Sequence, residues 1–421
     1  MGQWSGMVVE DRQRVDPRIR HGARREHSAL LYSHDTYGLG HFRRNLAIAH
    51  ALRRQDPGAR IVMLTGSSVA RSWPLPEAVE VVPMPRVVKV GIDEYRPVSS
   101  RSLSDLRAER AHIIGSTLMR VRPDVFLVDH APLGMKGELK WALELARHEL
   151  SHTQVVLGLR DVLDDPVTVR RTWAEQGIYS ALTSFYDQVL VYGCKELFDV
   201  AELYAFEPQV RRCTVFTGYV AKHYDLEAVP DARIVWTHDR APGVRRVLVM
   251  GGGGGDAAEL FTAFLRAWPL ISKEARAEAL LVTGPMMPNA DRHQIQSLMT
   301  GLDRVELVPS STNMLSLIAA ADVVVAMGGY NSVVESVSAR RPLVVWPRTA
   351  PRREQVIRAR ILERLGLARV VLDVSELGLA IVGALKGPPP TPETWQRIDL
   401  GGGDRVARLL LEAGRAEVVR R

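Results

Sequence analysis

The chain has 421 residues, 46% of them hydrophobic and 24% charged, with 55 Lys and Arg against 48 Asp and Glu for a formal charge of +7. That length exceeds what one core usually serves, so two domains are expected, and the composition is that of an ordinary globular protein. Cys194 and Cys213, with no C-x-x-C or His/Cys ligand spacing, exclude a disulfide scaffold and a structural zinc site.

These numbers narrow the setting further. A reducing, cytoplasmic environment fits the cysteine usage, and no run of about 18 apolar residues is present to span a bilayer. Much of the positive excess lies in residues 1–27 and in the closing GRAEVVRR. The remainder suits a nucleotide or an anionic membrane surface, so peripheral membrane contact stays open. No basic stripe interleaved with aromatics appears, and nucleic acid is not an expected partner.

After the basic tail of residues 1–27, SALLYS (28–33), RIVMLT (60–65), DVFLVD (124–129), TQVVLGL (153–159) and DQVLVY (187–192) read as buried strands. Between them, RRNLAIAHALRR and GELKWALELARHEL space apolar residues by three and four, as helices do. This βαβα order predicts a mostly parallel sheet covered by helices over residues 28–222. Inside it, residues 87–114 mix an apolar run with Gly, Pro and Arg, and read as a flexible loop or a functional excursion. Residues 223–244 are polar and aperiodic and read as an interdomain linker.

The pattern then restarts with RRVLVMG (245–251), EALLVTG (278–284), RVELV (304–308), ADVVVAM (321–327), RPLVVWP (341–347) and ARVVLD (368–373). A second doubly wound unit over 245–388 is predicted. In the closing segment, 389–421, the proline-rich GPPPTPETW stretch leads as a rigid connector to a last helix, VARLLLEAGR.

Open α/β sheets bind ligands beyond the carboxyl ends of their strands. Three candidate sites fall there. In VLVMGGGGGDAAELF, Gly251, Gly252 and Gly253 let backbone amides approach an oxyanion at a helix start, or simply form a turn that Asp256 caps. In ADVVVAMGGYNSVVES, Gly328 and Gly329 turn into a helix that opens with Asn331 and Ser332 and carries Glu335, a carboxylate placed to accept both hydroxyls of a ribose. The next strand leads to Arg348, Arg352 and Arg353 and then to Glu354-Gln355, a pair suited to the vicinal hydroxyls of a sugar. In YGLGHFRRN, Gly38 and Gly40 bracket a turn that delivers His41, Arg43 and Arg44. One arginine is expected to face a diphosphate and the other to be solvated. Asp129-His130 and Arg160-Asp161 also end strands, as caps and local ion pairs or as acceptor contacts.

The G-G-x-x-(S/T)-x-x-E pattern, followed by Pro on the next strand and an (E/D)-Q pair before a helix, resembles the donor domain of GT-B glycosyltransferases, most closely glycosyltransferase family 28. The likeness extends to GLGHFRRNLAIAHAL. It implies two Rossmann-like domains facing each other across a cleft, the first for the acceptor and the second for a nucleotide-sugar donor. On this resemblance Glu335 contacts the ribose, Gly328, Gly329 and Ser332 the diphosphate with Arg43 or Arg348, Glu354 and Gln355 the hexose, and Val308 the base. Gly38 and Gly40 pass close to the donor, and His41 is the base, with Asp161 as the alternative. A helix start beside His41 is expected to keep its imidazole neutral.

No D-x-D clamp is present, so neither a metal nor another cofactor is expected. The implied reaction is inverting transfer of a hexose, from a UDP-sugar in the first instance, to a small-molecule or lipid-linked acceptor. The same motifs resemble nucleotide-sugar hydrolases of the nonulosonic-acid pathways. A nucleotide-sugar 2-epimerase and a nucleotide-sugar-binding protein without catalysis are further alternatives.

Overall fold

The computed structural model describes residues 26–415 apart from 35–39, 68–69, 71–72, 74, 92–93, 99, 222–235, 237–239 and 312. Gly38, most of the expected 223–244 linker and nearly all of the basic tail therefore lie outside the described residues.

The strands in chain order are β1 (Ser28–Tyr32), β2 (Arg60–Thr65), β3 (Val79–Pro83), β4 (Val87–Gly91), β5 (Glu94–Pro97), β6 (Val125–Asp129), β7 (Gln154–Arg160), β8 (Gln188–Tyr192), β9 (Thr214–Phe216), β10 (Arg245–Met250), β11 (Ala277–Val282), β12 (Val305–Val308), β13 (Val323–Ala326), β14 (Leu343–Val345) and β15 (Ala368–Val370). One parallel sheet runs β3-β2-β1-β6-β7-β8-β9 and the other β12-β11-β10-β13-β14-β15. Their central strands are apolar on both faces because helices cover both. In β1, Leu31 packs into one core and Leu30 and Tyr32 into another; in β10, Leu248 and Met250 face one core and Val247 and Val249 the opposite one. The core that takes Leu31, Phe42 and Leu46 from the first unit also takes Leu248, Tyr330 and Val333 from the second, so the two units share one apolar cluster.

Each sheet reverses its strand order once, between β1 and β6 and between β10 and β13. At such a switch point the two following loops diverge and leave a crevice at the carboxyl ends of the strands. All three glycine-bearing motifs leave one of these four strands.

One region departs from the sequence reading, and the last helix adds to it. Residues 87–114 are not a plain loop: β4 and β5 form an antiparallel hairpin, and helix Leu103–Val121 follows, with Ser102 Oγ accepting from the Asp105 amide at 3.1 Å. Val87, Leu106 and Met135 make a small separate core beneath them. The last helix, Gly402–Ala413, returns to the first unit and packs on helix Gly40–Gln55, where Arg54 meets Asp404 at 2.6 Å and the Gln55 amide donates to the Asp404 carbonyl at 2.8 Å.

Candidate active site

The first crevice holds a histidine fixed by a buried ion pair. His41 is the second residue of helix Gly40–Gln55, which starts beyond β1, and Asp129 is the last residue of β6, so the switch point brings them together. His41 Nδ1 lies 2.5 Å from Asp129 Oδ2, and Arg44, one helical turn further on, donates to both Asp129 oxygens at 2.8 Å through Nη2 and to Oδ1 at 2.9 Å through Nε. Asp129 and Arg44 keep 0% and 1% of their side-chain surface, while His41 keeps 15%. Burial pushes the Asp129 carboxyl up, but Arg44 and then His41 outweigh it and hold it below the usual range. An ionised Asp129 requires the Nδ1–H tautomer of His41, which leaves Nε2 with a free lone pair. Burial draws the His41 imidazolium down to about 4, against the pull of Asp129, so the ring is neutral at neutral pH. The expected neutrality is present, and its main cause is burial.

The sequence reads Asp129 only as a cap or acceptor contact, and Arg44 as one of two arginines of which one is solvated. The structure makes both of them the support of His41. Asp161, expected as an alternative base, has a different place. It accepts from Arg358 Nη2 at 2.6 Å and Nε at 2.8 Å, with both side chains buried. Both Asp161 oxygens are taken up by that guanidinium, and the pair ties the first unit to helix Glu354–Arg364 of the second.

The second crevice is built from backbone. Gly328 takes a left-handed φ of 87°, and Gly329 begins helix Tyr330–Ser338 without any side-chain cap on the first-turn amides. A Cβ on Gly329 would meet nothing within 4 Å, so the space beside this residue is open. The five-glycine turn after β10 lies alongside, and a Cβ on Gly252 would come only to 3.9 Å from Ser332 Oγ. Other glycines of the turn answer to packing. A Cβ on Gly251 would sit 2.6 Å from the Thr283 carbonyl oxygen, and one on Gly254 2.4 Å from the same atom. Asp256, offered as a cap, does not cap helix Ala258–Ala275; it accepts from Arg348 Nη1 at 2.5 Å.

Arg348 therefore bridges carboxylates, with Nη2 also donating to Glu354 Oε1 at 2.8 Å, and is not free to meet a diphosphate as expected. Its backbone amide fixes Gln355 Oε1 at 3.0 Å, and the second Glu354 oxygen, Oε2, is buried with no partner. Val308 closes β12 and is half-buried.

The two crevices face each other at direct contacts. Asn331 Nδ2 donates to the Gly40 carbonyl at 3.1 Å, and Arg43 pairs with Glu335, so the first turns of two helices, one from each unit, touch. Arg43 was expected at a diphosphate; here it covers the carboxylate assigned to the ribose. Tyr330 wedges between the units, donating to the Tyr192 carbonyl at 3.0 Å and lying 5.5 Å from the Arg44 guanidinium carbon and 5.7 Å from that of Arg358. Among the described residues no group of His, Cys, Asp and Glu is arranged to hold a metal ion, and no helix is long and apolar enough to cross a membrane.

This arrangement, two parallel-sheet units facing each other with their switch points opposed, is the GT-B fold. Residues 246–386 match the model of the glycosyltransferase family 28 C-terminal domain. The fold is thus GT-B, with a match to the glycosyltransferase family 28 C-terminal domain confined to residues 246–386, and glycosyl transfer is the class of reaction these support. No curated protein matches the chain. Among solved structures, the chain is similar to the glycosyltransferase of kitacinnamycin (18% identity, TM-score 0.57, covering 94% of this chain and 98% of that one). It is also similar to Os79 from O. sativa in complex with UDP (16%, 0.61, 91% and 100%). The UDP-GlcNAc 2-epimerase from Methanocaldococcus jannaschii shares the fold as well (12%, 0.59, 92% and 99%), so the fold alone does not select the reaction.

Proposed function

We propose that the protein transfers a hexose from a nucleotide-diphosphate sugar, UDP-linked in the first instance, to an acceptor hydroxyl with inversion at the anomeric carbon. One observation carries this reading: a neutral histidine, fixed through Nδ1 by the buried Asp129–Arg44 pair, stands next to Gly40, whose carbonyl meets the uncapped helix start of the opposite unit at Asn331. The acceptor hydroxyl donates to His41 Nε2. As its oxygen bonds to the anomeric carbon, the proton passes to His41, and Asp129 stabilises the imidazolium. The bond to the diphosphate breaks on the opposite face.

The leaving diphosphate is met by the first-turn amides of helix Tyr330–Ser338 and by the turn at Gly252, beside Ser332. By analogy with an oxyanion hole, each such donor contributes about 3 kcal/mol. Backbone dipoles take the charge, so no metal is required in this scheme. Donor ribose displaces Arg43 from Glu335, freeing the guanidinium for the phosphates. The hexose reaches Glu354 and Gln355, and the base lies near Val308. A UDP donor is favoured because the similar O. sativa protein was crystallised with UDP. The acceptor is a small or lipid-linked molecule, met in the cytoplasm or at a membrane face.

The test is to incubate the protein with a panel of UDP- and dTDP-hexoses, with and without hydroxylated acceptors, and to assign the product anomer by NMR. A glycoside of inverted configuration is expected. Rapid release of free hexose without acceptor would make the protein a hydrolase, an epimerised donor would make it an epimerase, and a retained configuration would remove His41 from the base role.

A further inference from the structure

The crevice of the first unit carries more positive charge than its carboxylates balance. Arg44 is matched by Asp129 and Arg358 by Asp161. Arg160, which ends β7 next to β6, has no match. Its guanidinium makes no hydrogen bond or ion pair among the described residues, and its Nε is buried without a partner. Burial and then the neighbouring Arg44 and Arg358 draw its pKa down to about 10, with Glu354 opposing and Arg352 adding to the effect. His130, one residue beyond Asp129, repeats the pattern. Its Nδ1 is buried and unpartnered, its backbone takes a left-handed φ of 71°, and its ring centre is 5.1 Å from that of His41.

Arg160 is half-buried: its Nε is shut away from water without a partner, and no carboxylate pairs with the guanidinium, so its charge in the crevice is only partly offset. A ligand anion would supply the rest of the counter-charge. We infer that Arg160 and His130 form a site for the carboxylate or phosphate of an acidic acceptor, seated beside His41 on the first unit. The inference rests on the glycosyl-transfer reading for the word acceptor, and on geometry for the anion. The donor's phosphates have their own place across the cleft, at the helix start near Ser332 and Gly252. Both Arg160 and His130 instead extend from strand ends that flank Asp129.

The site also bears on the base. With an imidazolium pKa near 4, His41 accepts a proton weakly in the empty protein. An anion bound within a few ångströms favours the imidazolium and raises its basicity as the substrate arrives. An acidic acceptor therefore activates the group that deprotonates it, and a neutral sugar in the same position does not.

The experiment is calorimetric titration of the full chain with inorganic phosphate and with glucuronate, at saturating UDP, for wild type, Arg160→Gln and Arg160→Lys. Wild type is expected to bind at least one of the two anions with UDP in place. Arg160→Gln should weaken it at least tenfold, Arg160→Lys should keep part of the affinity, and UDP binding should stay within threefold in both. Ligand-free Arg160→Gln should melt no lower than wild type, since it removes an uncompensated charge, whereas loss of a structural arginine lowers the melting temperature.

Four outcomes would overturn the site: no binding of either anion by wild type, undiminished binding in Arg160→Gln, a lower melting point with anion affinity unchanged, or anions that compete with UDP together with a tenfold loss of UDP affinity. The last would assign Arg160 to the donor phosphates. Arg160-dependent anion binding in a protein that takes up neither UDP nor UDP-hexoses would support the anion site while rejecting the glycosyl-transfer reading.

Discussion

The two crevices occupy equivalent points in equivalent sheets, yet they are made of different material. The first is a cluster of ionisable side chains, His41, Asp129, Arg44, Arg160 and His130, with two guanidinium–carboxylate pairs buried among them. The second is mainly main chain: Gly252, Gly328 and Gly329 form turns at the helix starts, and the nearby carboxylates Asp256 and Glu354 are held back by Arg348. Backbone amides suit a ligand group that is always the same, such as a diphosphate, because their geometry is set by the fold. Side chains suit proton transfer, because their charge can be tuned by neighbours.

That contrast predicts sharp damage on the first side and graded damage on the second. Asp129→Asn should be the most severe change. It leaves Arg44 buried without its partner, which should lower unfolding free energy by about 3–5 kcal/mol in chemical denaturation, and it also frees the His41 ring. A variant as stable as wild type would show that the pair is not the support described. His41→Ala should fold, and reduce kcat for glycosyl transfer by about 10²–10⁴ with little change in UDP affinity. Unchanged turnover would remove the imidazole from the chemistry.

Next in size is a pH effect. Because folding lowers the His41 pKa from 6.5 to about 4, the unfolded chain binds more protons between those values. Stability present above pH 6.5 is lost as pH falls toward 4, by up to about 3 kcal/mol from this group. His130, also lowered by burial, acts in the same direction. Melting curves of wild type and His41→Ala across that window should converge as the pH falls; parallel curves would contradict the buried, neutral ring. The mildest change is Gly329→Ala. Its φ of −60° accepts alanine and no atom lies within 4 Å of the new methyl, so the melting temperature should hold while KM for the donor rises about tenfold, a loss of roughly 1.4 kcal/mol. An unaltered KM would mean that the donor does not pass over this residue.

What the sequence made legible follows from which interactions are local. Strands such as RIVMLT and glycine turns such as MGGYNS announce themselves because apolar runs and left-handed positions are properties of a few neighbouring residues. The reading of the site faltered where partners are far apart. Asp129 lies 88 residues from His41, and Arg358 lies 197 from Asp161. Nothing within DVFLVDH distinguishes a helper of a catalytic histidine from a strand-end cap. One of Arg43 and Arg44 is expected to be solvated because a basic residue near a helix start is usually at the surface, yet Arg44 is buried. Here its charge is neutralised by an aspartate that only the switch point brings near. The hairpin of β4 and β5 escaped notice for another reason: its two strands are short, carry Pro and Arg, and are supported chiefly by the helix that follows them.

The return of the last helix to the first unit has a mechanical consequence. The chain passes between units once after Val220 and again before Gly401, and these two passages are bonded side by side: Tyr219 N donates to the Asp399 carbonyl at 2.7 Å, and Gly402 N to the Tyr219 carbonyl at 3.1 Å. Two passages joined at one edge add a fixed point between the units, beside the apolar cluster they share and the Asp161–Arg358 pair.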